Sequence, residues 1–121
     1  MTSMFDVACV GILAADAIAK PIDDLPDRGR LMPVEQISLH TGGCAANAAV
    51  DLTRMGMKTA PIGKIGRDGF GGFMLDALQK EAINTGGLVI CDGSNTSLLG
   101  CDIKRILQPL HAEVERDGVF V

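Results

Sequence analysis

Apolar residues fall into short runs separated by glycine-rich or acidic breaks, and each run predicts one element. Residues 5–13 (FDVACVGIL) predict a buried strand that ends in a loop beginning near Ala14. Residues 20–30 combine prolines with aspartates and predict a loop. Residues 31–41 alternate in part, so they predict one or two short strands, placed at a sheet edge because Pro33 has no N–H to donate.

Two later segments have the three- and four-residue spacing of helices. Residues 44–55 are rich in alanine and other good helix formers, and Gly56 follows them as a C-terminal cap. Residues 69–82 repeat apolar side chains at helical spacing, with Asp68 placed to cap the first turn.

The remaining apolar runs, 58–65 and 88–91, predict strands that alternate with these helices. The order of strands and crossover helices predicts an α/β fold with a parallel sheet. Residues 98–121 fit this order less well. Their apolar positions have helical spacing, but Pro109 interrupts the pattern, and 118–121 resembles the start of a strand.

The composition fits one core and argues against nucleic-acid partners. The chain has 121 residues, 47% of them hydrophobic, with four Phe and neither Tyr nor Trp. Without aromatic stacking platforms, and with a net charge of −4, it lacks the features by which proteins bind bases and phosphate backbones.

The sequence predicts neither a membrane-spanning segment nor a signal peptide, and we expect a cytoplasmic protein with no membrane partner. The cysteines at positions 9, 44, 91 and 101 form no C-x-x-C pair, which disfavours a zinc site. No sequence pattern indicates another metal site or a catalytic nucleophile.

One glycine-rich segment, Thr41 to Asn47, ends a predicted strand and opens a helix. Gly42 and Gly43 allow a ligand to approach the backbone, and the helix start offers unpaired N–H donors. Asn47, on the first turn, both donates and accepts hydrogen bonds. The segment therefore suits a polyhydroxylated ligand or an anion; alternatively, the glycines only turn the chain.

Two other places are candidates for ligand binding. Asp16, expected just after the first strand, would accept hydrogen bonds from two neighbouring hydroxyls, or would be a solvated loop acid. Residues 63–72 are glycine-rich but match neither a Walker A loop nor G-x-G-x-x-G. A tight strand-to-helix turn is the favoured interpretation of 63–72, and a dinucleotide-binding oxidoreductase is disfavoured.

Taken in order, these motifs resemble the N-terminal part of the ribokinase-like (PfkB-type) family of carbohydrate and nucleoside kinases. The anchors of the family's first motif occur here at matching spacing as Gly42, Gly43, Ala45, Asn47, Ala49, Gly56 and Gly66. The stretch 66–71 is similar to the family's G-x-D-x-x-G. The resemblance covers residues 5–97 and leaves 98–121 as a divergent tail.

The resemblance implies a ribokinase-like three-layer fold with small lid strands at about 17–40, which often pair between subunits. It implies that Asp16, Gly42, Gly43 and Asn47 hold the hydroxyls of a sugar or nucleoside. ATP and Mg²⁺ are implied as cofactors, for phosphoryl transfer to a hydroxymethyl group.

The family's D-T-x-G-A-G-D segment, which supplies the catalytic base and an anion hole, does not occur in the 121 residues. We therefore expect a truncated fold, with the sugar-binding half present and the base and nucleotide site outside it. The alternative is a non-catalytic remnant that binds sugar weakly or self-associates through lid strands or an exposed sheet edge.

Overall fold

The computed structural model describes residues 5–24 and 26–101. The elements, in chain order, are β1 (Val7–Val10), β2 (Ala14–Lys20), β3 (Gln36–Gly42), α1 (Cys44–Arg54), β4 (Thr59–Gly66), α2 (Gly69–Lys80), β5 (Leu88–Cys91) and β6 (Ser97–Cys101). The predictions for 102–121, including the break at Pro109, lie outside the described residues.

The predicted parallel sheet is confirmed as a three-stranded sheet of order β1-β4-β5. Strands β1 and β4 run parallel with Cys9 opposite Pro61, and β4 and β5 run parallel with Ile65 opposite Ile90. A second three-stranded sheet has the order β3-β2-β6, so β3 is an edge strand. Pro33 lies before β3 rather than within it.

Helices α1 and α2 cover one face of the parallel sheet. Side chains of Cys9 and Ile65 point to this face and are buried with alanines of α1 and with Met74 and Leu78 of α2. The whole buried cluster is Cys9, Leu13, Ala15, Ala45, Ala46, Ala49, Ile65, Met74, Leu78 and Ile83. Because the fully buried residues of α1 are all alanines, the helix lies close to the strands and places its first turn beside the sheet.

Local sequence signals set the ends of both helices. Helix α1 ends with Gly56 at φ +95°, and the N–H groups of Gly56 and Met57 donate to Thr53 and Leu52. Helix α2 begins at the predicted cap, Asp68, whose side chain accepts the Gly71 N–H. Neither described helix has the length and hydropathy required to cross a membrane.

The expected single strand over 5–13 is wrong. Strand β1 stops at Val10, and β2 begins at Ala14, where a loop was expected. The pairing with β4 ends after Gly11, and the Ile12 carbonyl instead accepts the N–H of Ala45 at the start of α1. Asp16 consequently lies on a strand and not in a loop.

The chain divides into two compact units. Among the described residues, the first unit contains 5–16 and 41–99, and the second contains 17–24, 26–40 and 100–101. The first unit holds the parallel sheet and both helices. It also contains all four predicted ligand-binding residues, Asp16, Gly42, Gly43 and Asn47.

Candidate functional site

The side chain of Asp16 lies against the backbone of Gly42. A Cβ atom built at position 42 would lie 2.6 Å from the Asp16 Cγ, well inside van der Waals contact. Gly42 is buried, Asp16 is half-buried, and the Asp16 Oδ1 atom is shielded from solvent. The strand ends of β2 and β3 therefore bring together two residues that are 26 positions apart in sequence.

Gly43, the N-cap residue of α1, is held against the segment that leads to Asp16. Its φ of +88° lies in the region that favours glycine, and a Cβ there would lie 2.7 Å from the Ile12 carbonyl carbon. A side chain at 43 would be both strained and blocked. Glycine is therefore required at the two positions for different reasons. Gly42 leaves room for the Asp16 side chain, and Gly43 adopts the turn beside Ile12.

Asn47 completes the group on the first turn of α1. Its backbone N–H donates to the Gly43 carbonyl at 3.0 Å, and its side chain is exposed. No side chain caps this helix, and no acidic residue occupies its first turn. The positive end of the α1 dipole therefore lies beside Gly43 and Asn47, where it favours an oxygen-rich ligand.

The second glycine-rich segment is arranged differently, because a carboxylate already occupies its helix N-terminus. Asp68 Oδ1 accepts the Gly71 N–H at 2.8 Å, and Asp68 Oδ2 accepts the Thr96 N–H at 2.7 Å. These hydrogen bonds lower the pKa of Asp68 below its ordinary value. A phosphate at this position would meet that negative charge.

Thr96 closes the same turn from the other side. Its buried Oγ1 accepts the Gly66 N–H at 2.9 Å, and a Cβ at Gly71 would lie 2.9 Å from that oxygen. The predicted strand-to-helix turn is therefore confirmed at 66–71. Its internal hydrogen bonds to Asp68 and Thr96 close the turn.

The two regions differ in what they offer to a ligand. At Asp16, Gly42, Gly43 and Asn47, one carboxylate and one amide border an accessible helix start, and no cationic side chain belongs to the group. Such a set accepts and donates hydrogen bonds to neutral hydroxyl groups. This chemistry suits a polyhydroxylated ligand better than an anion, because the Asp16 carboxylate would repel negative charge.

Sequence reasoning missed the residues that support this group. Gly11, Ile12 and Cys44 contact one another between β1 and α1, and no sequence motif indicates their contacts. The local signal was Gly11 itself, a glycine inside an apolar run, which often marks a close backbone approach. On β3, the side chains of His40 and Ser38 share a hydrogen bond of 2.9 Å.

Comparison with known proteins identifies a family for the chain. Residues 4–105 match the profile of the family described as pfkB family carbohydrate kinase. The chain is 34% identical over 98 residues to an uncharacterized sugar kinase of Pyrococcus horikoshii, covering 81% of the chain and 30% of that relative. It is 32% identical over 121 residues to the 5-dehydro-2-deoxygluconokinase of Clostridium perfringens, covering 95% of the chain and 32% of that enzyme.

Solved structures give the same result. The fructokinase of Xylella fastidiosa with bound ATP superimposes with a TM-score of 0.65 at 30% identity, over 78% of this chain and 28% of that one. The P. horikoshii kinase in complex with ATP gives a TM-score of 0.66 over 77% of this chain and 29% of that one. The chain spans about a third of the length of the relatives it matches.

Proposed function

Because the chain belongs to the pfkB family of carbohydrate kinases, we propose that Asp16, Gly42, Gly43 and Asn47 bind the hydroxyl groups of a sugar or nucleoside. The bound molecule is then the acceptor in ATP-dependent phosphorylation of a hydroxymethyl group. The observation that carries this proposal is the contact between Asp16 and Gly42, beside an α1 N-terminus that no side chain caps.

Each residue of the group has a distinct task in the proposed site. The Asp16 carboxylate accepts hydrogen bonds from two neighbouring hydroxyls and so fixes the orientation of the ring. Asn47 donates and accepts at a third hydroxyl. Gly42 and Gly43 leave the backbone uncovered, so that the sugar lies close to the start of α1. Holding the acceptor in one orientation is a large part of catalysis when the chemistry itself is phosphoryl transfer.

ATP, with Mg²⁺, would supply the phosphoryl group. The glycine-rich turn at 66–71 is closed by Asp68 and Thr96 and does not fit the nucleotide. The 121 residues contain no D-T-x-G-A-G-D segment. We therefore place the catalytic base and the nucleotide site outside residues 1–121. Because the proposed reaction uses ATP, we also propose a cytoplasmic location.

Direct binding tests the proposal. Isothermal titration of the 121-residue chain with ribose, fructose, other hexoses and adenosine should give saturable binding for at least one of them. Asp16→Ala should abolish this binding, while the melting temperature stays near that of the unsubstituted chain. Binding that survives Asp16→Ala, or no binding by any sugar or nucleoside, would contradict it.

A second candidate function is self-association without catalysis, and the uncovered face of the parallel sheet favours it. Val10 and Val89 point away from both helices and are 73% and 60% exposed, and Ile62, opposite Val10, is 39% exposed. Parallel sheets normally have both faces covered. Sedimentation velocity at rising concentration, with Val89→Lys as a comparison, distinguishes this candidate. A monomer at all concentrations would exclude it.

A further inference from the structure

Residues 11–13 connect β1 to β2 and are held at three points. The Gly11 N–H donates to the Ile62 carbonyl at 3.1 Å, which continues the β1–β4 pairing. Leu13 is 3% exposed and belongs to the core cluster. Ile12, between them, is half exposed, so its backbone position depends on hydrogen bonds and not on burial of its side chain.

Both backbone polar groups of Ile12 are bound by the first two residues of α1. The Ile12 N–H donates to the Cys44 Sγ at 3.4 Å, and the Ile12 carbonyl accepts the Ala45 N–H at 3.2 Å. The same sulfur lies against Gly11, where a Cβ would be 2.6 Å from it. Cys44 therefore joins the start of α1 to the segment that precedes Asp16.

From these contacts we infer that Cys44 is a positioning residue for the proposed sugar site. It directly follows Gly43 in the chain, and Ile12, which it holds, precedes Asp16 by four residues. By accepting the Ile12 N–H, the thiol sulfur fixes the segment that leads into β2 against the start of α1. It thereby fixes the position of the Asp16 carboxylate beside Gly42. This inference rests on the proposed function for its consequence, the affinity for sugar.

Three substitutions of Cys44 distinguish the effect of its hydrogen-bond acceptor from the effect of its side-chain volume. Cys44→Ser keeps an acceptor, Cys44→Val keeps the volume without one, and Cys44→Ala removes both. Cys91→Ala is the matched control, because Cys91 is a half-buried free thiol on β5. All variants are compared as 121-residue chains under reducing conditions.

The first readout needs no sugar. In ¹³C-labelled protein, the side-chain carboxyl resonance of Asp16 should move in Cys44→Val and Cys44→Ala, and exchange of the Ile12 amide should accelerate. Both should stay near the original values in Cys44→Ser and Cys91→Ala. An unmoved Asp16 resonance in Cys44→Val would overturn the inference.

The second readout is the dissociation constant for the sugar that binds best. Cys44→Val should weaken binding about fivefold, the effect of weakening about one hydrogen bond between the displaced Asp16 carboxylate and the sugar, and Cys44→Ser should restore the affinity to within about twofold. Unchanged affinity in Cys44→Val would overturn the positioning role. If the unsubstituted chain binds no sugar while Asp16 still moves in Cys44→Val, the proposed function fails and the structural link between Cys44 and Asp16 stands.

Discussion

The Asp16 carboxylate lies against Gly42, where a Cβ atom would be only 2.6 Å from its Cγ, so that position 42 has no room for a side chain. Gly42 does not have a positive φ, so the requirement for glycine here is steric and not conformational. The pair lies where β2 begins and β3 ends, and both residues belong to the same compact unit. The proposed sugar site depends on this contact.

Gly42→Ala should therefore displace the Asp16 carboxylate and weaken sugar binding by at least about tenfold, or about 1.4 kcal/mol. The short aspartate side chain has few ways to yield to the new methyl group, so some folding stability is lost as well. Calorimetric titration with sugar and thermal melting measure the two effects separately.

Gly72→Ala is the matched control for that experiment. Gly72 is exposed on α2, and open space surrounds its Cα, so alanine there should raise stability by about 0.5–1 kcal/mol without changing sugar affinity. Equal affinity for Gly42→Ala and Gly72→Ala would show that the close approach at position 42 has no part in binding.

Asn47→Ala should weaken sugar binding about three- to tenfold, because a hydroxyl loses one hydrogen-bonding partner. Its control is Asp51→Ala, one turn further along α1 and equally exposed. Both positions are helical and solvent-facing, so alanine costs neither variant much stability. Similar affinities for the two variants would remove Asn47 from the site.

Asp68→Asn should change the pH dependence of stability in a defined direction. The folded-state pKa of Asp68 is lowered because its carboxylate accepts the Gly71 and Thr96 N–H groups. A lowered pKa gives stability that is fully present above the unfolded value, about 4, and is lost as the pH falls through the folded value. The melting temperatures of the two proteins should therefore differ most above pH 4 and converge below it.

Asp76→Asn serves as the comparison in that series. Asp76 is an exposed carboxylate that pairs with Lys80 at 2.7 Å, a surface pair that contributes little to stability. Its melting curves should follow those of the unsubstituted chain closely across the pH range. If the melting temperatures of Asp76→Asn and the unsubstituted chain differed above pH 4 and converged below it as much as those of Asp68→Asn, the Asp68 cap would not be the cause of the pH dependence.

Residues 1–121 alone should show no measurable turnover with ATP, Mg²⁺ and any sugar or nucleoside, whether or not they bind the acceptor. The D-T-x-G-A-G-D segment, to which the family resemblance assigns the catalytic base and the anion hole, does not occur in this sequence. Coupled measurement of ADP release over a substrate panel checks this. Robust turnover would show that a base exists within the 121 residues.

The elements predicted best from sequence are those set by local signals. Asp68 caps α2 as expected, and Gly56 ends α1, because both interactions join residues within one turn. Strand β2 was missed at its start because Ala14, Ala15 and Ala17 have low strand propensity, and its position comes from pairing with β3 and β6.

The candidate site was predicted by residue type and motif order, but not by geometry. Asp16 and Gly42 are brought together by the register of two strands, and a register has no local sequence signal. The hydrogen bonds of Ile12 to Cys44 and Ala45 likewise span more than 30 positions. A folded arrangement was needed to see why position 42 admits only glycine.

The most direct test of the sugar site is a chemical-shift titration of the ¹⁵N-labelled 121-residue chain with the sugars and nucleosides named above. At least one of them should produce saturable shifts centred on the amides of Asp16, Gly42, Gly43 and Asn47, with little change at Gly66 and Gly71. Shifts centred on the 66–71 turn, or none at any concentration, would contradict a sugar site at the junction of β2, β3 and α1.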